Sequence, residues 1–192
     1  MQPREGVVAM ERIFRMFAAT WWPQRPANTR AASGARSAVC AHRERLIGAP
    51  LDRVFELVGD IEWLPGWNPY LETRKVSGPF DRVGTSFDAT VRLLGLEFAG
   101  RGTVVEAEPR RLVHLRVACT ERGGTGDWIY NLDPIDGGTR CSIAIECEAS
   151  GTLLALEHLF GRSAVQTALE RTVQQLLDNL ASLAEPKVPQ PA

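Results

Sequence analysis

The sequence predicts an α+β domain: one strand, one or two short helices, six further strands paired antiparallel, and a long terminal helix. Three observations carry this expectation. Between residues 70 and 149, six runs of alternating or β-branched residues are separated by turns too short for parallel crossovers. After Gly151 the apolar spacing changes from two to three or four residues. Between the first two strands, Pro50 suits a helix start, while Pro65 and Pro69 keep any second helix very short.

The chain begins differently from the way it continues. Met10, Ile13, Phe14, Phe17 and Trp21 stand at helical spacing with Arg12 and Arg15 turned away, and "PQRPANTRAASGARS" follows with no periodicity. Residues 1–37 therefore read as a flexible extension, possessing at most a short amphipathic helix. Its functional readings are a peripheral membrane anchor or an Arg-rich targeting peptide; its plain reading is a disordered extension or an early start codon.

The regular domain is expected over residues 38–184. "VCAHRERLI" is a strand closed by "GAP"; one face carries His42 and Glu44, the other Arg43 and Arg45, so one charged pair faces the covered side unless a bulge or an open end intervenes. "LDRVFELVGDI" places Leu51, Val54, Phe55 and Val58 on one helical face. In "DIEWLPGWNPYLE" the four-residue spacing of Trp63 and Trp67 lets them share a face of a helical turn, Trp63 as core plug and Trp67 as its partner at the rim of a cavity.

The six strands are "YLETRKVSG", "GTSFDATVRLL", "LEFAGRGTVVEAE", "RRLVHLRVACT", "DWIYNLDPI" and "TRCSIAIECEA", expected to form a meander. "TLLALEHLF" is a short helix broken at Gly161. Val165, Ala168, Leu169, Val173, Leu176, Leu177, Leu180 and Leu183 then mark one long helix from Ser163 to Ala184, stopped by Pro186, with 185–192 left as a disordered tail.

Bulk properties narrow the function. At 192 residues, 44% hydrophobic, 23% charged and net charge -1, the chain has material for one soluble domain. It lacks the basic excess of a nucleic-acid-binding surface. No apolar run approaches the ~20 residues that span a bilayer. Cys40, Cys119, Cys141 and Cys147 form no C-x-x-C pair, and read as buried thiols of a reducing, cytoplasmic compartment. No His pair has metal-ligand spacing, so neither metal nor cofactor is expected, and no catalytic residue declares itself.

Alternation assigns the strand faces. Phe87, Ala89, Val91 and Leu93 share one face, as do Val113, Leu115, Val117 and Cys119; Trp128, Tyr130 and Leu132; and Cys141, Ile143, Ile145 and Cys147. These should face the terminal helix. His114 and Arg116 turn outward, which argues against His114 as a base inside a cavity. Small inward residues, Ala89, Gly100 and Gly102 among them, beside the bulky Trp128 and Tyr130 suggest unfilled space.

The element order, with "RLIGAPLDRVFELVGDIEWLPGWNPYLE", resembles the SRPBCC superfamily of START-like helix-grip proteins, in its polyketide cyclase/dehydrase and lipid-transport branch. The matching residues are Ile47-Gly48-Ala49-Pro50, Val54-Phe55-Glu56-Leu57 and Trp63 through Pro69; "GRGTVVEAEPRRLVHLRV" and "DWIYNLDPIDGGTRCSIAIE" look like later strand pairs of that family. The resemblance implies a curved seven-stranded antiparallel sheet gripping the terminal helix around a deep apolar cavity. Ligand pockets generally measure roughly 300–1,000 Å³.

On that reading the candidate ligand-binding residues are Trp67, Phe87, Ala89, Val91, Val113, Leu115, Val117, Trp128, Tyr130, Ile143, Ala164 and Ala168. The partner is a hydrophobic small molecule, a lipid, polyketide or quinone-like compound, held by a non-catalytic carrier or sensor. The alternatives are a polyketide cyclase/aromatase-type enzyme and a ligand-free interaction module. The oligomeric state is not encoded in these patterns. Because residues 1–36 lie outside the periodic region, a chain beginning at Ser37 is expected to retain cooperative thermal unfolding; loss of the transition by circular dichroism would place the boundary elsewhere.

Overall fold

In a computed structural model, residues 39–120, 124–148 and 151–186 are described, all within the unit Arg36–Ala192. The expected extension over 1–37 and the last six residues of the expected tail lie outside the described residues.

The chain order is β1 (Val39–Ile47), α1 (Leu51–Gly59), α2 (Leu64–Trp67), β2 (Leu71–Arg74), β3 (Ser86–Leu93), β4 (Leu96–Glu108), β5 (Leu112–Cys119), β6 (Thr125–Ile135), β7 (Gly138–Cys147), α3 (Gly151–Phe160) and α4 (Arg162–Ala184). All seven strands form one antiparallel sheet in the order β1-β7-β6-β5-β4-β3-β2. The meander is thus confirmed for β2 to β7, and β1 closes it by pairing along β7 from Val39↔Cys147 to Ile47↔Thr139. β4, the longest strand, carries a register shift between Val104 and Glu106, the kind of irregularity that lets a long strand bend. β2 is shorter than the sequence suggests. It ends at Arg74, before Lys75 takes a positive φ of 50° and breaks the extended run.

Two prolines shape the α1–α2 segment. Pro50 stands in extended conformation at the N-cap of α1, and Asp52 in the first turn complements the helix dipole. Pro65 opens the single turn of α2. Val54, Leu57 and Val58 of α1 and Leu64 and Trp67 of α2 are buried against the sheet and α4.

α4 fills the concave face. Val165, Leu169, Val173, Leu176, Leu177, Leu180, Ala181 and Ala184 are buried along one stripe, against core residues that include Ile47, Leu115, Tyr130, Leu132 and Ile143. Its flank is tied down by polar contacts. Gln166 Nε2 donates to the Cys40 carbonyl at 2.9 Å, Asn179 Nδ2 to the Trp67 carbonyl at 3.1 Å, and Glu185 accepts from the Gly48 amide at 3.0 Å.

The charged faces of β1 are resolved by the same helix. Val39, Ala41 and Ile47 are buried on the covered side, so Arg43 and Arg45 share it and His42 and Glu44 do not. Arg43 pairs with Glu170 at 3.0 Å and Arg45 pairs with Asp178, both from α4. All four side chains keep about a third to a half of their surface in water, so the pairs fix register more than they stabilise. The sheet's edge is a wet rim.

Leu176 is fully buried at the centre of this contact. Leu176→Asp would place a carboxylate without a partner there, and is expected to cost several kcal/mol, most of a marginal domain's stability. Thermal denaturation checks it: an unchanged midpoint would mean that this helix face is not gripped.

Candidate functional site

The tryptophan-rich loop seals one end of the grip. Trp67 is fully buried, its indole Nε1 donates to the Leu57 carbonyl at 2.8 Å, and its ring meets Tyr130 edge-on at 5.5 Å and 85°. The Tyr130 hydroxyl lies 3.5 Å from Asn68 Nδ2, and Asn68 Oδ1 accepts from the Tyr70 amide at 3.1 Å. Burial pushes the Tyr130 phenol far up, against the smaller opposing effect of the Asn68 hydrogen bond, so it is neutral. The roles of the two tryptophans are the reverse of those expected. Trp63 is 38% exposed with the Arg53 guanidinium 5.1 Å over its ring, because α2 is a single turn and cannot hold both indoles on one face.

The open space lies at the other end. A pocket with a cavity volume of ≈ 80 Å³ sits between the sheet, α3 and the first half of α4, partly open to solvent. The sheet contributes Val91 and Leu93, Phe98, Val117 and Cys119, Gly126 and Trp128, and Ile145 and Cys147; Leu153 and Leu156 come from α3, Leu169 and Thr172 from α4. Arg92, Gly124, Thr125 and Glu148 complete it. Arg92 is engaged by Glu72 and Glu97, each at 2.8 Å.

This volume is smaller than the deep cavity implied by resemblance, and specific side chains account for the difference. A Cβ added at Gly102 would lie 2.0 Å from the Phe87 ring, so that glycine's missing side chain makes room for phenylalanine and not for a ligand. A Cβ at Gly100 would meet the Ala118 carbonyl oxygen at 2.7 Å. Gly126 is different. Its added Cβ would meet nothing closer than 3.8 Å, and it lines the pocket.

Of the candidate residues read from the sequence, Val91, Val117 and Trp128 line this pocket. Phe87, Ala89, Val113, Leu115, Tyr130, Ile143 and Trp67 are packed in the core beyond it, Ala168 is half-buried and Ala164 exposed. Sequence reasoning does not single out Gly126, Thr172, Leu153 or Leu156. A β6 run that starts at Asp127 leaves Gly126 outside the alternation that it shares with Trp128. Thr172 stands three residues after Leu169 and is open to a strict helical count.

Among the described lining residues the one carboxylate, Glu148, is exposed, and the one guanidinium, Arg92, is paired. Burial pushes the Cys147 thiol up to about 12 and raises that of Cys119, so both stay protonated and unreactive at neutral pH. Among the described residues no cluster of His, Cys, Asp and Glu could hold a metal ion. Among the described residues no helix is long and apolar enough to cross a membrane.

The outward His114 is buried, but on the far side of the sheet. Its Nε2 lies 2.8 Å from Asp127 Oδ1, and Arg116 donates to the same carboxylate at 2.9 and 3.2 Å. Burial raises the Asp127 carboxyl pKa; the hydrogen bonds from His114 and Arg116, with their charges, outweigh it and hold the group below its ordinary value. The cluster braces β5 against β6.

A family model described as "Polyketide cyclase / dehydrase and lipid transport" matches residues 38–185. No curated protein matches the chain. Among solved structures, a protein of Thermus thermophilus is 21% identical with a TM-score of 0.60, covering 76% of this chain and 96% of its own. A protein of Chromobacterium violaceum is 21% identical, TM-score 0.56, covering 77% and 98%. Major latex-like protein 151 of Panax ginseng is 14% identical, TM-score 0.56, covering 78% and 99%. At these identities the likeness is one of fold.

Asp127→Asn is expected to lower stability by about 1–3 kcal/mol near neutral pH, through weakened hydrogen bonds to Arg116 and His114. Because the folded carboxyl is depressed, its contribution is present above the ordinary carboxylate range and lost as pH falls through the depressed value. Denaturant titrations at several pH values should therefore show wild type and variant converging in acid; a constant gap would refute the assignment.

Proposed function

The chain belongs to the polyketide cyclase/dehydrase and lipid transport family of helix-grip proteins, and from that premise we propose that it binds a hydrophobic small molecule in the pocket between β3–β7, α3 and α4, as a carrier or sensor without catalysis. The observation that carries the reading is the lining. Aliphatic, aromatic and thiol side chains from five strands and two helices converge on one cleft, which is the arrangement that holds an apolar ligand by burial. Its charged members offer little chemistry: Arg92 is neutralised by two carboxylates, and Glu148 is exposed.

A cyclase or aromatase would need a positioned acid or base against the enclosed chain. The one carboxylate of the lining, Glu148, is exposed to solvent and not enclosed with the ligand, which favours binding over turnover. The partly open form of the pocket lets a ligand larger than the ≈ 80 Å³ cavity extend past α3 towards solvent. Leu154, Leu159 and Phe160 of α3 are exposed, so this helix offers apolar surface on both its pocket side and its outer side.

Gly126→Val tests the location. The new side chain enters the pocket in a strand that favours β-branched residues, with its Cβ at ordinary contact distances. Propylbenzene is expected to bind the wild-type chain one-to-one and quench Trp128 fluorescence, and to bind the variant at least about tenfold more weakly with little change in melting temperature. Undiminished binding in the variant would move the site; no binding to wild type would remove it.

A further inference from the structure

We infer that the pocket selects neutral apolar molecules bearing a hydrogen-bond acceptor, carbonyl compounds above all, through the Trp128 indole N–H on the sheet wall and the Thr172 hydroxyl on the helix wall. This rests on the reading of the pocket as a ligand site and names the chemistry it takes.

Two polar groups on the wall of an apolar cleft make no hydrogen bond to another described residue, and both keep accessible surface. Trp128 is 4% exposed as a residue; its Nε1 bonds to no described residue and keeps accessible surface, as an atom open to the cleft does. Trp67, fully buried and away from the pocket, has its indole N–H bonded to a carbonyl at 2.8 Å. An indole N–H that faces an apolar cleft is available to a ligand acceptor that enters it. The Trp128 Nε1 lies 4.0 Å from where a Gly126 Cβ would be, so its polar edge sits over the one lining residue of β6 that has no side chain.

Thr172 repeats the pattern from the opposite wall. It is 5% exposed and lines the pocket, and its hydroxyl bonds neither to the helix carbonyl one turn back nor to any other described residue. An indole can only donate, while a hydroxyl donates or accepts. An acceptor such as a ketone oxygen can take a hydrogen bond from either donor.

Charge is selected against by what surrounds the cleft. Arg92, the cation of the lining, already holds Glu72 and Glu97, so an incoming carboxylate would have no free counter-ion among the lining residues. Glu148 at the pocket adds repulsion for an anion. Desolvating a carboxylate beside Leu153, Leu156 and Ile145 would be costly.

Three probes of one shape distinguish the terms: acetophenone, α-methylstyrene, in which CH₂ replaces the carbonyl oxygen, and benzoate. Each is titrated calorimetrically into the full chain and into Thr172→Val and Trp128→Phe. Because the probes differ in hydration, the comparison is between proteins for each probe. Acetophenone affinity is expected to fall roughly three- to tenfold in each variant, with α-methylstyrene affinity changed by less than about twofold. Thr172→Val is nearly isosteric, and guards against a Trp128→Phe variant that is simply loosened. If both probes bind every protein alike, the selectivity is overturned and the apolar pocket stands. If neither binds the wild-type chain, the pocket reading itself fails. Benzoate binding as tightly as acetophenone would overturn the selection for neutral ligands.

Discussion

A 23-residue helix with one continuous apolar stripe cannot remain folded in water without a surface to cover that stripe, and the concave face of the sheet is that surface. The covering depends on β1. As the first strand it would be a loose end of the meander, but by pairing along the whole of β7 it extends the sheet under α4 and places Arg43 and Arg45 where Glu170 and Asp178 can meet them. The buried stripe supplies the energy and the half-exposed ion pairs, individually weak, set how the helix lies.

The interior is then divided along the helix. Towards the C-terminal half of α4, Trp67, Tyr130, Phe87 and the aliphatic residues of β5 and β7 fill the space, and Asn179 holds the Trp67 carbonyl. Towards the N-terminal half, α3 replaces the α1–α2 segment as the covering element, and the filling is incomplete. Two glycines show the contrast. Gly102 is a glycine because an aromatic ring occupies its side-chain volume, whereas the volume beside Gly126 is empty. The same residue type on two strands of one sheet, β4 and β6, therefore means close packing in one place and a cavity wall in the other.

That contrast is also why the fold was legible in the sequence and the site much less so. Periodicity of two against three or four, with Pro and Gly at the breaks, locates elements because each residue's own backbone preference and exposure carry the signal; β1 and β4 match their expected limits, and α4 begins one residue early. Alternation likewise put Val91, Val117 and Trp128 on the covered face. Whether a covered residue touches a ligand or a neighbour depends on partners distant in sequence, such as Phe87 against Gly102, and no local pattern records that. The reversed roles of Trp63 and Trp67 have the same origin: a four-residue spacing is informative in a long helix, but α2 has a single turn, and the Leu57 carbonyl decides which indole goes in.

The division of the interior has a consequence for how such a chain can change. The aromatic plug, the α4 stripe and the β1 edge are coupled through shared contacts, so a substitution there is felt across the domain. The residues around α3 and Gly126 border a space that already tolerates vacancy, where a larger or smaller side chain alters the shape of the cleft without opening a hole in a filled core. Drift at that end can therefore re-tailor which molecule fits while the other end keeps the architecture, and a lineage built this way can diversify its ligands faster than its fold.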